Sequence, residues 1–203
     1  MKAECETKHK LLDTAMQLMW ESSYGSVSVD HICKRAGVNK GSFYYFFPSK
    51  SDLTVAAMEV HWQEKKSNLD RIFSPQTPVL KRLDDMVSYL INSQREKKEI
   101  FGKVCGCPYI SLGSELGTQD EKIRAKTEEL INRSCRYWES FVRDAQSEGL
   151  VDRNLDPQKL AREIYSYFLG LVMQSRMTNS LDPLLSIKSG AERLMGLTQS
   201  VAA

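Results

Sequence analysis

Apolar residues along this chain recur at spacings of three and four, and no segment alternates with a convincing period of two. Spacings of three and four place apolar side chains on one face of a helix, whereas strict alternation marks a strand. The pattern predicts an all-α fold of about nine helices and no sheet. Leu11, Leu12, Ala15, Leu18 and Met19 define a first helix that ends before Tyr24. Val29, Ile32, Cys33 and Ala36 define a second, short helix. Phe43 and Phe47 are the inward positions of a third, from Lys40 to about Phe46. A long helix over 49–73 follows. Val79, Leu83, Met86, Val87, Leu90 and Ile91 give the next apolar face. A later one carries Ile123, Leu130, Ser134, Trp138, Phe141 and Ala145. Two more helices are predicted near 157–178 and over 183–198.

Helix punctuation agrees with this partition. Ser28 is placed to cap the second helix, Gly37 to end it in the left-handed conformation, and Asn39 to cap the third. Pro48 keeps the residue before it out of the helix. Ser49-Lys50-Ser51-Asp52 is a capping-box pattern for the fourth helix. Pro75 follows that helix, and Gly149 is placed as a residue just past a helix end. Thr77-Pro78, Cys107-Pro108, Asp156-Pro157 and Asp182-Pro183 each pair a possible cap with proline at a first helical position.

Two short helices joined by a glycine turn, within Ser26 to Lys50, form a helix-turn-helix pattern. Its second helix keeps Lys40, Gly41, Ser42, Tyr44 and Tyr45 outside. Small, basic and hydroxyl-bearing groups of this kind suit close approach to phosphates and base edges. Ser28 and Lys50, at helix starts, are expected to clamp phosphates.

The order AGVNKGSFYYFFPSKSDL, from Ala36 to Leu53, resembles the N-terminal domain of TetR-type transcriptional regulators, and the match extends over roughly residues 8–55. Ser23 departs from the family's usual glycine, and Phe46 from its frequent histidine. The resemblance implies a three-helix DNA-binding domain, 1–54, followed by an all-helical ligand-binding and dimerisation domain, 55–203. No Gly/Ser linker separates the two, so the boundary is expected inside the fourth helix near residues 55–62.

The run Ile164 to Met173 is apolar nearly all round, while a helix of a small domain needs only one buried stripe. It reads either as the central helix of a monomer or as one that buries a second face in a partner. The family pairs through its last two helices, which favours a homodimer. Tyr167, Leu171, Leu184, Ile187, Ala191 and Leu194 are then the expected interface residues, and two-fold symmetry implies a pseudo-palindromic site on double-stranded DNA.

Charge adds little. The formal net charge is +2, and residues 1–52 hold seven Lys/Arg against six Asp/Glu. Binding has to come from arrangement, with Lys8, Lys10, Lys40 and Lys50 expected near helix N-termini. No stretch reaches the roughly 18 apolar residues of a membrane span. The N-terminus reads as no signal peptide, and five cysteines without scaffold spacing suit a reducing cytosol, so a cytoplasmic location with no membrane partner is expected. No Ser-His-Asp order with supporting turns, Gly-rich phosphate loop or His-Glu-x-x-His occurs, which excludes the common enzyme classes. No cofactor or metal is expected: Cys105-Gly106-Cys107 offers two ligands, but all three histidines lie in the N-terminal third.

Met86, Tyr89, Phe101, Cys107, Tyr109, Trp138, Phe141, Tyr165 and Phe168 could line a mostly apolar cavity suited to a small hydrophobic inducer. Each is also an ordinary core residue. Cys107, expected at the N-terminus of a sixth helix where a thiolate is favoured, reads either as a redox or electrophile sensor or as a small buried hydrophobe. The predicted function is a homodimeric repressor released from its operator by a small hydrophobic ligand. The alternatives are a thiol-responsive repressor using Cys107, an activator, and a helical interaction module without DNA binding.

Overall fold

The computed structural model describes residues 2–197. Among them are nine α-helices and no strand: α1 Lys2–Glu21, α2 Val29–Ala36, α3 Lys40–Phe46, α4 Lys50–Ile72, α5 Val79–Phe101, α6 Pro108–Leu116, α7 Glu121–Ser147, α8 Pro157–Thr178 and α9 Ile187–Leu194. A 3₁₀ turn, Asp182–Ser186, precedes α9. The all-α expectation therefore holds.

The chain packs as two compact units, Met1–Lys66 with Cys107–Leu130, and Ser67–Gly106 with Ile131–Ala203. This division by packing cuts the chain differently from a single boundary at residue 54, because α6 and the first third of α7 pack with the N-terminal helices. In the first unit Leu11, Ala15, Ile32, Phe43, Leu53, Met58 and Ile123 are buried. In the second, Ile72, Phe73, Leu83, Trp138, Phe141, Ile164 and Phe168 form the core. Burial of such faces, at about 25 cal/mol per Å² of apolar surface, dominates the stability of helices this size.

Several helix ends follow the sequence. Asp156 Oδ1 accepts from the backbone N–H groups of Gln158 and Lys159 at 2.8 and 3.2 Å, with Pro157 at the first helical position. Gly149, at φ +74°, closes α7. Three ends differ. Pro78 is itself the extended residue before α5, so Thr77 lies outside the cap. Asp182-Pro183 opens the 3₁₀ turn, with Leu181 before it, rather than an α-helix. The expected helix 183–198, whose last residue lies outside the described residues, is split and shorter over the described part, because Gly196 at φ +69° ends α9 and the Leu197 N–H turns back to Glu192 O at 2.9 Å.

Arg82 explains the first of these. It is buried, and its guanidinium donates to Thr77 O at 2.7 Å, Pro75 O at 3.2 Å and Asp144 Oδ2 at 2.5 Å. One side chain thereby satisfies the carbonyls of the α4–α5 connection and ties it to α7 within the second unit.

The expected dimer surface also needs correction. Leu184, Ile187 and Ala191 are at most 1% exposed, covered by their own chain, so they have no surface to offer a partner. The 3₁₀ turn and α9 both pack on α8, and Gly190 sits so tightly there that a Cβ on it would lie 1.9 Å from the Tyr167 hydroxyl. Tyr167 and Leu171 keep partial exposure, and Leu194 is 40% exposed. Leu185 and Met177 stand out at 78% and 76%.

Arg82→Ala leaves three acceptors without their donor and should lower unfolding free energy by about 2–4 kcal/mol in urea denaturation. A loss below about 1 kcal/mol would mean that water replaces the guanidinium without penalty.

Candidate nucleic-acid interface

The α2–turn–α3 segment is built almost entirely from local bonds. Ser28 Oγ accepts from the His31 N–H at 3.1 Å and starts α2. Gly37, at φ +66°, ends it, and the Val38 N–H returns to Cys33 O at 2.9 Å. Asn39 Oδ1 then accepts from the Ser42 N–H at 2.7 Å and starts α3. Phe43 and Phe47 are buried with ring centroids 6.2 Å apart. Anchoring one face this way forces the other outward. Tyr44 and Tyr45 are 53% and 73% exposed, well above what a tyrosine gains by packing.

Beside Tyr45 lies an open groove lined by Glu4, Thr7, Asn39, Gly41, Ser42, Tyr45 and Phe46. Glu4 and Thr7 join it because α1 begins at Lys2, earlier than the apolar pattern indicated. The run Ala3-Glu4-Cys5-Glu6 carries no apolar stripe, yet it is rich in helix formers, and that was the available signal. The same early start puts Lys8 and Lys10 well inside α1 rather than near its N-terminus. Lys8 Nζ lies 5.8 Å from the Phe47 ring centroid, and Lys10 pairs with Glu6 at 2.7 Å.

The expected DNA contacts separate into two groups. Lys40, Gly41, Ser42, Tyr44 and Tyr45 share the outward side of α3. Lys40 Nζ meets Asp30 Oδ1 at 2.8 Å, and that hydrogen bond, with the carboxylate's charge, raises the ammonium's pKa. Lys40 is thus a cation at neutral pH, paired with an exposed carboxylate. Lys50 belongs elsewhere. Its Nζ donates to Tyr24 O at 2.7 Å and Val27 O at 2.6 Å and sits 3.6 Å from the Tyr24 ring centroid. Burial lowers its pKa, with the Glu115 charge opposing that shift. The expected phosphate clamp is therefore a structural cation, drawn inward because the α1–α2 turn offers two carbonyls. Ser28 is exposed, and its oxygen acts as the helix cap.

The expected ligand residues fall in both units. Trp138 packs on both Phe141 and Phe168, with centroid separations of 5.6 Å and 4.7 Å. Met86, Tyr89, Phe101 and Tyr165 are partly exposed, and burial raises the Tyr89 pKa. Cys107 and Tyr109 belong to the first unit. The Tyr109 hydroxyl lies 2.7 Å from His61 Nδ1, and Cys107 precedes α6 without a side-chain cap bond. Among the described residues no cluster of metal-ligating side chains occurs, and no helix is long and apolar enough to cross a membrane.

The distinction between Lys50 and Lys40 is measurable. Lys50→Met should cost about 1–3 kcal/mol of stability by stranding two carbonyls, and leave the salt dependence of DNA binding unchanged. A phosphate contact would behave oppositely, with stability kept and the salt slope reduced by about 1.

Comparison with known proteins agrees with this geometry. Residues 11–57 match the family model for bacterial regulatory proteins, tetR family, and residues 79–189 match the tetracyclin repressor-like C-terminal domain. An uncharacterized HTH-type transcriptional regulator in the lacX 3′ region of Lactococcus lactis subsp. lactis is 32% identical over 89% of this chain and 88% of its own. The HTH-type transcriptional repressor NemR of Escherichia coli K12 is 25% identical over 89% of each chain. The crystal structure of a regulatory protein TetR from Rhodobacter sphaeroides superposes with a TM-score of 0.80 at 28% identity, covering 92% of this chain and 97% of that one.

Proposed function

The chain belongs to the TetR family of bacterial transcriptional regulators, and from that premise we propose that it is a homodimeric repressor reading a pseudo-palindromic operator through the outer side of α3. It is a DNA-binding regulator and not an enzyme. The observation that carries the proposal is the exposure of Tyr44 and Tyr45 on a helix whose opposite face is fixed by Phe43 and Phe47. Two large rings held in water on a rigid scaffold have a ready role as groove contacts. Gly41 beside them lets the backbone approach phosphate, Ser42 adds a hydroxyl, and Lys40 adds charge.

Two copies joined by the α8–α9 region would present two such helices, one per major-groove half-site. Tyr167, Leu171 and Leu194 remain the candidates from the expected interface, with Leu185 and Met177 added by their exposure. A small hydrophobic ligand is the proposed inducer. The aromatic content around Trp138, Phe141, Phe168, Tyr89 and Tyr165 supports that chemistry. Such a ligand acts only through differential affinity for DNA-competent and released states. The proposed route is α4, which supplies residues to both compact units, so that its displacement would change the separation of the two reading helices.

Tyr44→Ala should weaken binding to a selected operator duplex by about tenfold or more while sedimentation still reports a dimer. Unchanged affinity would remove Tyr44 from the contact set. Lys40→Ala should weaken all duplexes alike and reduce the salt slope by about 1.

A further inference from the structure

The turn between α1 and α2 is gripped from two sides. The Tyr24 N–H donates to Glu115 Oε2 at 2.9 Å, and the Gly25 N–H donates to Oε1 at 2.7 Å. From the other side the Lys50 ammonium takes the carbonyls of Tyr24 and Val27. The donors of the turn thus go to a carboxylate on α6 and its acceptors to an ammonium on α4. Gly25 permits the approach, since a Cβ there would stand only 3.1 Å from Oε1. α6 is itself seated tightly. A Cβ on Gly113 would lie 2.6 Å from Thr127 Cγ2 on α7, and the Thr127 hydroxyl is buried with no partner. All of these residues belong to the first compact unit.

We propose that Glu115 is a positioning residue for DNA reading, its carboxylate bridging the Tyr24 and Gly25 N–H pair and so tying the α1–α2 turn, and through it the α2–α3 unit, to α6. Bonds from backbone N–H groups to an ionised carboxylate are about twice as strong as neutral ones, and two on one group also fix its orientation. The chain between Gly25 and the α2 cap at Ser28 is too short to absorb a shift, and Val27 within it is buried. A displacement of α6 therefore either carries the turn, and α2 with it, or breaks both bonds. This inference rests on the reading of α3 as the DNA-contacting helix.

A double-substitution cycle on the full chain tests it. Gly113→Ala pushes α6 off α7, because the β-branched Thr127 has little rotamer freedom with which to yield. In the parent protein this change should lower affinity for a selected operator duplex by about tenfold. In a Glu115→Ala background, which alone costs a similar factor, it should add almost nothing. Additive losses would overturn the proposal, since contacting or coupled residues depart from additivity and independent ones do not. Amide exchange supplies a readout independent of DNA. Tyr24 and Gly25 should exchange at least about tenfold faster in Glu115→Ala than in the parent, while α8 amides keep their protection. Unchanged protection at both amides would equally overturn it. Should the parent bind no selected duplex, the DNA-reading assignment fails by itself and the exchange result still decides the Glu115 contact. If the alanine variant does not fold, Glu115→Gln, with one acceptor oxygen left, should release one amide of the two, and retention of both would count against the proposal.

Discussion

A helix of seven residues cannot persist in water by its own hydrogen bonds, since nucleation alone outweighs what so few turns return. α3 exists because its neighbours hold it: Asn39 supplies the first cap, Gly37 aims the turn, and Phe43 and Phe47 sink into the core. Everything else about the reading surface depends on this. With two aromatic anchors fixed, the helix has no freedom to rotate, and Lys40, Gly41, Ser42, Tyr44 and Tyr45 are placed outward as a group. A recognition helix held this way loses little entropy on meeting DNA, which favours affinity without a strong electrostatic field.

That economy matters because the field is weak. The formal net charge is only +2. Lys40 is engaged by Asp30, and Lys50 is spent on the turn between α1 and α2. Sequence-independent attraction to phosphate, which dominates many DNA-binding proteins, is therefore modest here. On the proposed reading of α3, shape, hydroxyl groups and aromatic contact would carry a correspondingly larger share of recognition.

The helical plan was legible because periodicity and caps pointed the same way. Ser28, Gly37 and Asn39 do what their residue types predict, and the boundaries of α3 and α8 follow. What escaped was long-range chemistry by side chains that look like surface. Arg82 lies in an apolar stripe as a charged residue, and nothing nearby in sequence reveals that Pro75, Thr77 and Asp144 wait for its guanidinium. Lys50 sits at a helix start, which suggests phosphate, but carbonyls more than twenty residues earlier claim it. Leu184, Ile187 and Ala191 carry the right spacing for an interface. Spacing identifies an apolar face without saying whether the chain's own α8 or a second copy covers it. The α9 end at Gly196 shows a related gap, since a glycine ends a helix only where the chain has reason to turn.

A reading head on the outer side of α3 must select a DNA sequence. The most direct measurement is enrichment of binding sites from random duplex DNA by the purified full chain at low salt, followed by affinity for the enriched duplex across salt concentrations. A dimer reading through α3 should enrich a pseudo-palindrome whose half-sites lie one helical turn or a whole multiple apart, bound with a shallow salt slope. Failure to enrich any sequence at low salt would contradict it, and so would enrichment that survives removal of both Tyr44 and Tyr45.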